Sequence, residues 1–295
     1  MSFLNPVSEP VKRFSSTDAG APQINYNARV AGDVKTVLKA CLVVGYGDKA
    51  SAGWSIANEV DHVAEFVSPS AAMSDYRLGI DDSTATKTDW FYQYKNARKN
   101  PKSNAPVKAF VRADKVSANN GWQLLVSERG LLFIEIVQHT TVSSLSCRLT
   151  YFSAQKSTSS TIGDDIVFFN TGHSGAINTY NQLYGYANAY ISQDATAKII
   201  TTSPHMLGVD YTYDASSIDL AADIYTALGN GSALLGKLPA LMCQTPAQQP
   251  TFGLRDVLID GRAFLEFFCG DTSASATTVY GYGRTFLSPL DYWEY

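Results

Sequence analysis

The sequence predicts an α+β fold that is β-rich, with antiparallel sheets and a few short helices. Two observations carry this. Short segments dense in Val, Ile, Phe and Tyr recur between turn formers from residue 63 onward, the make-up of half-buried strands. Helical periodicity is confined to two places, Val34 to Leu42 and Ile218 to Leu228. A chain of 295 residues can bury one large core or two smaller ones. The reading adopted is an extended N-terminal arm (1–27), an N-terminal α+β lobe (28–150) and a C-terminal β-rich lobe with an aromatic tail (151–295), the two lobes being of similar make-up.

In the first helix Val34, Val37, Leu38, Cys41 and Leu42 fall at i, i+3, i+4, i+7 and i+8 and form one apolar stripe. Asp33 is placed to cap its start, where a carboxylate meets the positive end of the helix dipole. Gly45 is placed to close it in the left-handed conformation. Tyr46 to Lys49 then turn the chain, and Ala52-Gly53-Trp54 leads into a strand. Leu38, Cys41, Gly45, Gly47 and Trp54 are the structural residues of this unit.

Strands are expected at Val63–Val67, Tyr76–Ile80, Trp90–Tyr94, Gln123–Val126 and Leu131–Val137, with turns at Asn119-Asn120-Gly121 and Glu128-Arg129-Gly130. Together they predict a meandering sheet with the helix on one face. Asn96 to Pro106, broken by two prolines, reads as an exposed loop. The Ser/Thr-rich stretch 155–162 marks the lobe boundary, placed between residues 138 and 162. Beyond it, Ile166–Phe169 and Tyr184–Ile191 read as strands. Ile218, Leu220, Ala221, Ile224, Tyr225 and Leu228 read as a second helical stripe ending at Gly229-Asn230-Gly231. Leu254–Ile259, Ala263–Phe268 and Thr277–Phe286 close the chain as strands.

Catalytic and metal-binding chemistry finds little footing. His62, His139, His173 and His205 are dispersed, without a second ligand at helical spacing. His173, in Thr-Gly-His-Ser-Gly, lacks a nucleophile motif. The acidic pairs Asp81-Asp82 and Asp164-Asp165, and Asp210 with Asp214, lack the alternating oxygen ligands of a calcium loop and read as caps at strand ends. Gly45-Tyr46-Gly47 follows a helix, whereas a phosphate loop precedes one. Cys41, Cys147, Cys243 and Cys269 have no metal or redox spacing; they read as buried thiols, with a disulfide between two of them left open. No metal, no cofactor and no enzymatic activity are expected. A net charge of −4 without a dense basic run gives no footprint for nucleic acid. No apolar run reaches the length of a membrane span, and residues 1–10 lack the pattern of a signal peptide, so synthesis in a cytoplasm is expected.

One set of motifs stands out. Phe14-Ser15-Ser16 with Ala19-Gly20-Ala21-Pro22 precedes Val37-Leu38-Lys39-Ala40-Cys41-Leu42-Val43-Val44-Gly45-Tyr46-Gly47-Asp48-Lys49, then Ala52-Gly53-Trp54, and later Arg77-Leu78-Gly79-Ile80-Asp81-Asp82. This opening resembles a family of tailed-bacteriophage virion proteins. Fainter echoes follow at Gly121-Trp122-Gln123-Leu124, Ser127 to Gly130, Lys237 to Leu241 and Asp260 to Leu265. The resemblance is densest over the first third. It implies a structural particle component. The partners expected of it are other virion proteins and copies of itself, a host surface receptor being left open.

The two ends fit a protein that works by contact. The tail Phe286 to Tyr295 is aromatic where a free end is usually polar, and Tyr and Trp are enriched at interface hot spots. Docking onto its own lobe and docking onto a neighbour both remain open for it. The arm 1–27, with three prolines, is expected to reach along a neighbour. Phe14, Pro22, Tyr292, Trp293 and Tyr295 are therefore the candidate interface residues. The expected function is a non-enzymatic structural component of a phage particle, tail- or baseplate-associated. A head or collar accessory protein, and a receptor- or glycan-binding or glycan-hydrolysing tail module, are the alternatives.

Overall fold

The computed structural model describes residues 6–25, 28–85, 87–94, 107–112, 121–138, 145–154, 156–157, 166–170, 187–191, 198–201, 220–227, 234–245, 254–270 and 283–295. Over these residues the chain is β-rich, with antiparallel sheets and one short α-helix. Strand β1 (Ser8–Pro10) pairs with β20 (Tyr292–Glu294). A seven-stranded sheet runs β2 (Lys12–Ser15), β8 (Trp122–Ser127), β9 (Gly130–Gln138), β10 (Leu145–Ala154), β12 (Ile166–Asn170), β13 (Ala187–Ile191), β14 (Lys198–Thr201) in spatial order. A five-stranded meander runs β3 (Ser55–Val60), β4 (Val63–Val67), β5 (Tyr76–Thr84), β6 (Lys87–Tyr94), β7 (Val107–Arg112). The third large sheet is ordered β11 (Lys156–Ser157), β16 (Leu234–Thr245), β19 (Gly283–Pro289), β18 (Arg262–Gly270), β17 (Leu254–Ile259), with β15 (Leu220–Ala227) also on β16.

The seven-stranded sheet is the middle layer. Every residue of β8 and Gly130 to Glu135 of β9 are buried, so neither shows the in-and-out alternation of a half-exposed strand. On one face Phe152 of β10 meets the Trp54 ring at 6.3 Å and Phe133 of β9 meets Trp90 of β6 at 5.7 Å, which seats the five-stranded sheet there. On the other face β10 packs against β16 and β18. Aromatic rings supply large buried area and set the spacing between these layers.

Helix α1 (Asp33–Lys39) continues into a π-type turn over Ala40–Val44, which Gly45 closes by donating its N–H to the Ala40 carbonyl at 2.7 Å. The predicted stripe is buried throughout: Val34, Val37, Leu38, Cys41 and Leu42 are each 1% exposed or less. The carbonyls of Cys41 and Leu42, which a helix end leaves without partners, accept the N–H groups of Ala52 at 2.8 Å and Trp54 at 2.9 Å. The returning chain thus pins the helix end and delivers buried Trp54 to the core.

Several expectations need correction. Gly45 has φ 88° and ψ 171°, a positive-φ extended conformation and not the left-handed helical one; a Cβ there would lie 2.6 Å from the Lys49 carbonyl oxygen. Asp33 is the first helical residue, with Gly32 at the N-cap, and its carboxylate accepts the Val30 N–H at 3.0 Å. Of the stripe read as helical from Ile218 to Leu228, residues 220–227 are described and form a strand. This is β15, and the ladder to β16 absorbs the mismatch through register shifts at Asp223/Tyr225 and Thr226/Ala227. Ile224, Tyr225 and Thr226 are residue types that suit a strand, and cross-strand pairing overrides the helical spacing. A lobe boundary at 150/151 would cut β10, whose pairing with β9 and β12 runs unbroken through Thr150 and Tyr151. The arm 1–27 is not free of the chain's own fold either, since β1 and β2 are built into it. The loop 96–106, His139, His173, His205, Asp164-Asp165, Asp210 to Asp214 and Gly281-Tyr282 lie outside the described residues.

Candidate functional site

The motif blocks that stand apart in sequence meet in one joint. Strand β2 delivers Phe14 and Ser15, and the loop after it brings Asp18 against the turn that follows the π-type segment. The Asp18 carboxylate accepts the Lys49 ammonium at 2.6 Å, the Tyr46 hydroxyl at 2.7 Å and the Ser15 N–H at 2.8 Å. Lys49 also donates to the Arg13 carbonyl at 3.0 Å. Gly47, at φ 51°, lets the two backbones touch, because a Cβ there would collide with the Ala19 carbonyl. Trp122 completes the joint: its indole N–H donates to the Pro22 carbonyl at 3.0 Å and its backbone N–H to the Ser16 hydroxyl at 3.2 Å. Phe14 and Trp122 flank the Tyr46 ring at 5.9 and 6.4 Å.

Burial alone would raise the Asp18 carboxyl, but the hydrogen bonds from Lys49, Tyr46 and Ser15 outweigh it and hold the group below its ordinary value. Burial and the hydrogen bond to Asp18 push the Tyr46 phenol far up, so it stays a donor. The Asp18 carboxylate therefore locks two chain segments together, and Ser16 and Pro22 tie Trp122 on as the third.

A second carboxylate holds the start of α1. Asp82, fully buried, accepts the Val34 N–H at 2.8 Å and the Lys35 N–H at 3.4 Å, and pairs with the buried Arg29 guanidinium and the Thr88 hydroxyl. Its backbone carbonyl accepts the Gly32 N–H at 2.9 Å and its own N–H donates to His62 at 3.1 Å. Burial raises this carboxyl against the pull of Arg29, Thr88 and the two amides. Asp81, one residue earlier, accepts the Ser83 N–H at 3.2 Å; the expectation of strand-end caps is corrected for this pair, since both aspartates lie inside β5 and Asp82 is buried against the start of α1.

The chain ends form a clamp. Val7 and Tyr295 exchange backbone hydrogen bonds at 3.0 and 2.9 Å, extending the β1–β20 pair. Trp293 is fully buried and donates its indole N–H to the Pro289 carbonyl at 3.2 Å. The Tyr295 hydroxyl lies 2.6 Å from Ser127 Oγ and 3.2 Å from Ser153 Oγ, and Arg129 covers its ring at 5.4 Å while pairing with Glu9. Of the candidate interface residues, Phe14, Trp293 and Tyr295 are thus packed inside the chain's own core, Pro22 is half-buried and bound to Trp122, and only Tyr292 is exposed, at 36%. The interface assignment is corrected for the buried three: their apolar surface is already spent on the fold.

What remains open to a partner lies elsewhere. A groove of about 430 Å³ runs between the helical segment and the β3–β4 hairpin, lined by Lys35, Lys39, Val44, Glu59, Asp61 and His62 among others. Glu59 accepts both Lys35 at 2.8 Å and Lys39 at 2.9 Å, and Lys35 also reaches the Asp61 carbonyl. The sequence signal for this groove was slight, since Val44 belongs to the same apolar run as Leu42 and yet stands 67% exposed at the end of the π-type turn. Among the described residues no three His, Cys, Asp or Glu side chains are gathered to hold an ion. Cys41 and Cys147 are buried free thiols. No helix among these residues is long and apolar enough to cross a membrane.

No family model, curated protein or solved structure matches this chain.

Proposed function

We propose that this protein is a non-enzymatic structural component of a tailed-phage particle, tail- or baseplate-associated, that works through protein–protein assembly. One observation carries the reading. The residues of the motif blocks that resemble the virion family, Phe14, Gly20, Pro22, Tyr46, Gly47, Lys49 and Trp122, are gathered in a structural joint, tied by Asp18 from beside those blocks, instead of lining a cleft. Motifs that fix a fold suit a protein selected for its shape and its contacts. Its partners are other virion proteins and copies of itself, with no nucleic acid and no membrane insertion. It is made in the host cytoplasm and incorporated into the virion.

The test is fractionation of purified particles into heads and tails, followed by mass spectrometry of each fraction. The chain is expected with the tails at a fixed ratio to the major tail protein. Recovery with the heads would move the assignment to a head or collar accessory role. Glycan-array binding by the purified chain, together with cleavage of a bound glycan, would replace the structural reading with the receptor or hydrolase one.

A further inference from the structure

The sheet edges at β2, β3 and β17 differ in how their outer backbone is protected. On β2 the Arg13 carbonyl accepts the Lys49 ammonium at 3.0 Å and the Ser15 N–H donates to Asp18 at 2.8 Å. On β3 the register breaks at Ile56/Asn58, a bulge of the kind that blunts an edge. Strand β17 has neither device. Its ladder to β18 runs from Leu254↔Phe267 to Ile259↔Arg262 without a shift, it contains no Pro or Gly, and among the described residues no strand lies beyond it. The turn that closes the hairpin is Asp260-Gly261, both at positive φ.

The direction of the β17 amides follows from β19. The Leu290 N–H donates to the Ala263 carbonyl at 3.0 Å, so Ala263 turns its backbone groups toward β19. Leu258, directly opposite Ala263, therefore turns its own N–H and carbonyl away from β18 and out of the sheet. Strand alternation gives Asp256 and Leu254 the same outward direction. A row of backbone donors and acceptors at a sheet edge is a template for another strand. The charges that would deter one are engaged within the chain, Arg255 by Glu266 and Asp256 by Arg13 at 2.7 Å. Beside them Leu258 is 76% exposed and Ile259 36%.

We propose that β17 pairs antiparallel with β17 of a second copy, across a two-fold axis at Val257. A second copy fits because the strand is complementary to itself in this register and in no neighbouring one. An axis at Arg255 or at Asp256 would set that charge against its own copy, and an axis at Leu258 would set Asp256 against Asp260; like charges directly opposite are destabilising. With the axis at Val257, Asp256 meets Leu258, Arg255 meets Ile259 and Leu254 meets Asp260. Asp256 and Leu258 are then outward-facing residues that exchange backbone hydrogen bonds in both directions, twice over by symmetry, while the Val257 side chains meet at the closer, non-hydrogen-bonded pair. The contact is isologous and closes as a dimer, each sheet continuing into the next. It names one self-contact of the assembly reading and rests on that reading for its biological setting. Its test needs only the purified chain, so its failure is distinguishable from failure of the particle assignment.

Full-length Val257→Cys and Leu258→Cys chains are mildly oxidised beside the native chain, whose own cysteines set the background. Opposed residues of a non-hydrogen-bonded pair lie about 4.5 Å apart at Cα, within disulfide range. Leu258 lies diagonal to its own copy, at roughly 7–8 Å. Val257→Cys is therefore expected to give a disulfide-linked dimer several-fold above Leu258→Cys, although Leu258 is the more exposed of the two. Leu258→Pro, added to Val257→Cys, removes an outward N–H that no bond to β18 uses, as proline at an edge allows. Circular dichroism should keep its strand signal while the dimer falls to the native background. Leu258→Asp, which sets a carboxylate against Asp256, should do the same and serves where the proline chain fails to fold. Dimer from Leu258→Cys equal to or above that from Val257→Cys would overturn the proposal. So would Val257→Cys at background, or a folded Leu258→Pro or Leu258→Asp chain that cross-links as fully as its parent.

Discussion

The Asp18 carboxylate accepts the Tyr46 hydroxyl at 2.7 Å across 28 residues of sequence. The contact ties the loop after β2 to the turn after the helical segment, and the Lys49 ammonium shares the same oxygen. One carboxylate thus fixes the turn against the loop after β2, while Trp122 is held separately through Ser16 and Pro22.

Asp18→Asn should therefore lower stability at neutral pH by about 1.5 kcal/mol, the low end for hydrogen bonds to a charged group, because Lys49 stands partly in water. The sign with pH follows from the lowered carboxyl. A group held below its unfolded value contributes stability that is full above that value and lost as pH falls through the folded one. Thermal unfolding from pH 7 to pH 2.5 should show the gap between native chain and variant closing below about pH 4, near the ordinary aspartate value. A gap that persists unchanged in acid would mean the carboxylate charge is not what holds the joint.

Leu38 is completely buried on the α1 stripe. Leu38→Ala should cost about 2–5 kcal/mol by denaturant titration, with the spread set by how far the site collapses. A midpoint within error of the native chain would remove the residue from the core.

Asp82 and Asp33 separate a cap that is buried from one that is not. Asp82→Ala strands the Arg29 guanidinium in the interior and should cost about 3–5 kcal/mol, as removing one partner of a buried pair does. Asp33→Ala gives up one exposed hydrogen bond to Val30 and should cost about 1 kcal/mol or less. Equal losses in parallel unfolding experiments would refute this division of roles.

These residues also show where sequence reading succeeds and where it stops. The α1 stripe was legible because its periodicity is local, and the strands at Val63–Val67, Gln123–Val126 and Leu254–Ile259 were legible from composition and flanking turns. The true cap of α1 was not, since Asp82 lies 48 residues beyond the Val34 amide it binds and no local pattern encodes that distance. Ile218 to Leu228 misled because apolar residues placed at helical spacing were also good strand formers, and only the pairing with β16 decided between the two. The aromatic ends were recognised as unusual, but composition cannot say whether Trp293 fills its own core or another's.

That last point yields a prediction opposite to a free, partner-seeking tail. Trp293→Ala should destabilise the isolated chain by about 3–5 kcal/mol, the range for a buried tryptophan, and removal of residues 290–295 should lower solubility by stripping the β1–β20 pair. A truncated chain that melts with the native one would return the tail to the interface.

The central claim, that this chain is a structural part of a tailed-phage particle, is tested most directly by electron cryomicroscopy of intact particles from a phage that encodes it. The account predicts density at the tail or baseplate that accepts the three-layer β architecture, with Trp54, Trp122 and Trp293 inside each subunit. Particles that are complete, infectious and devoid of this chain would contradict it.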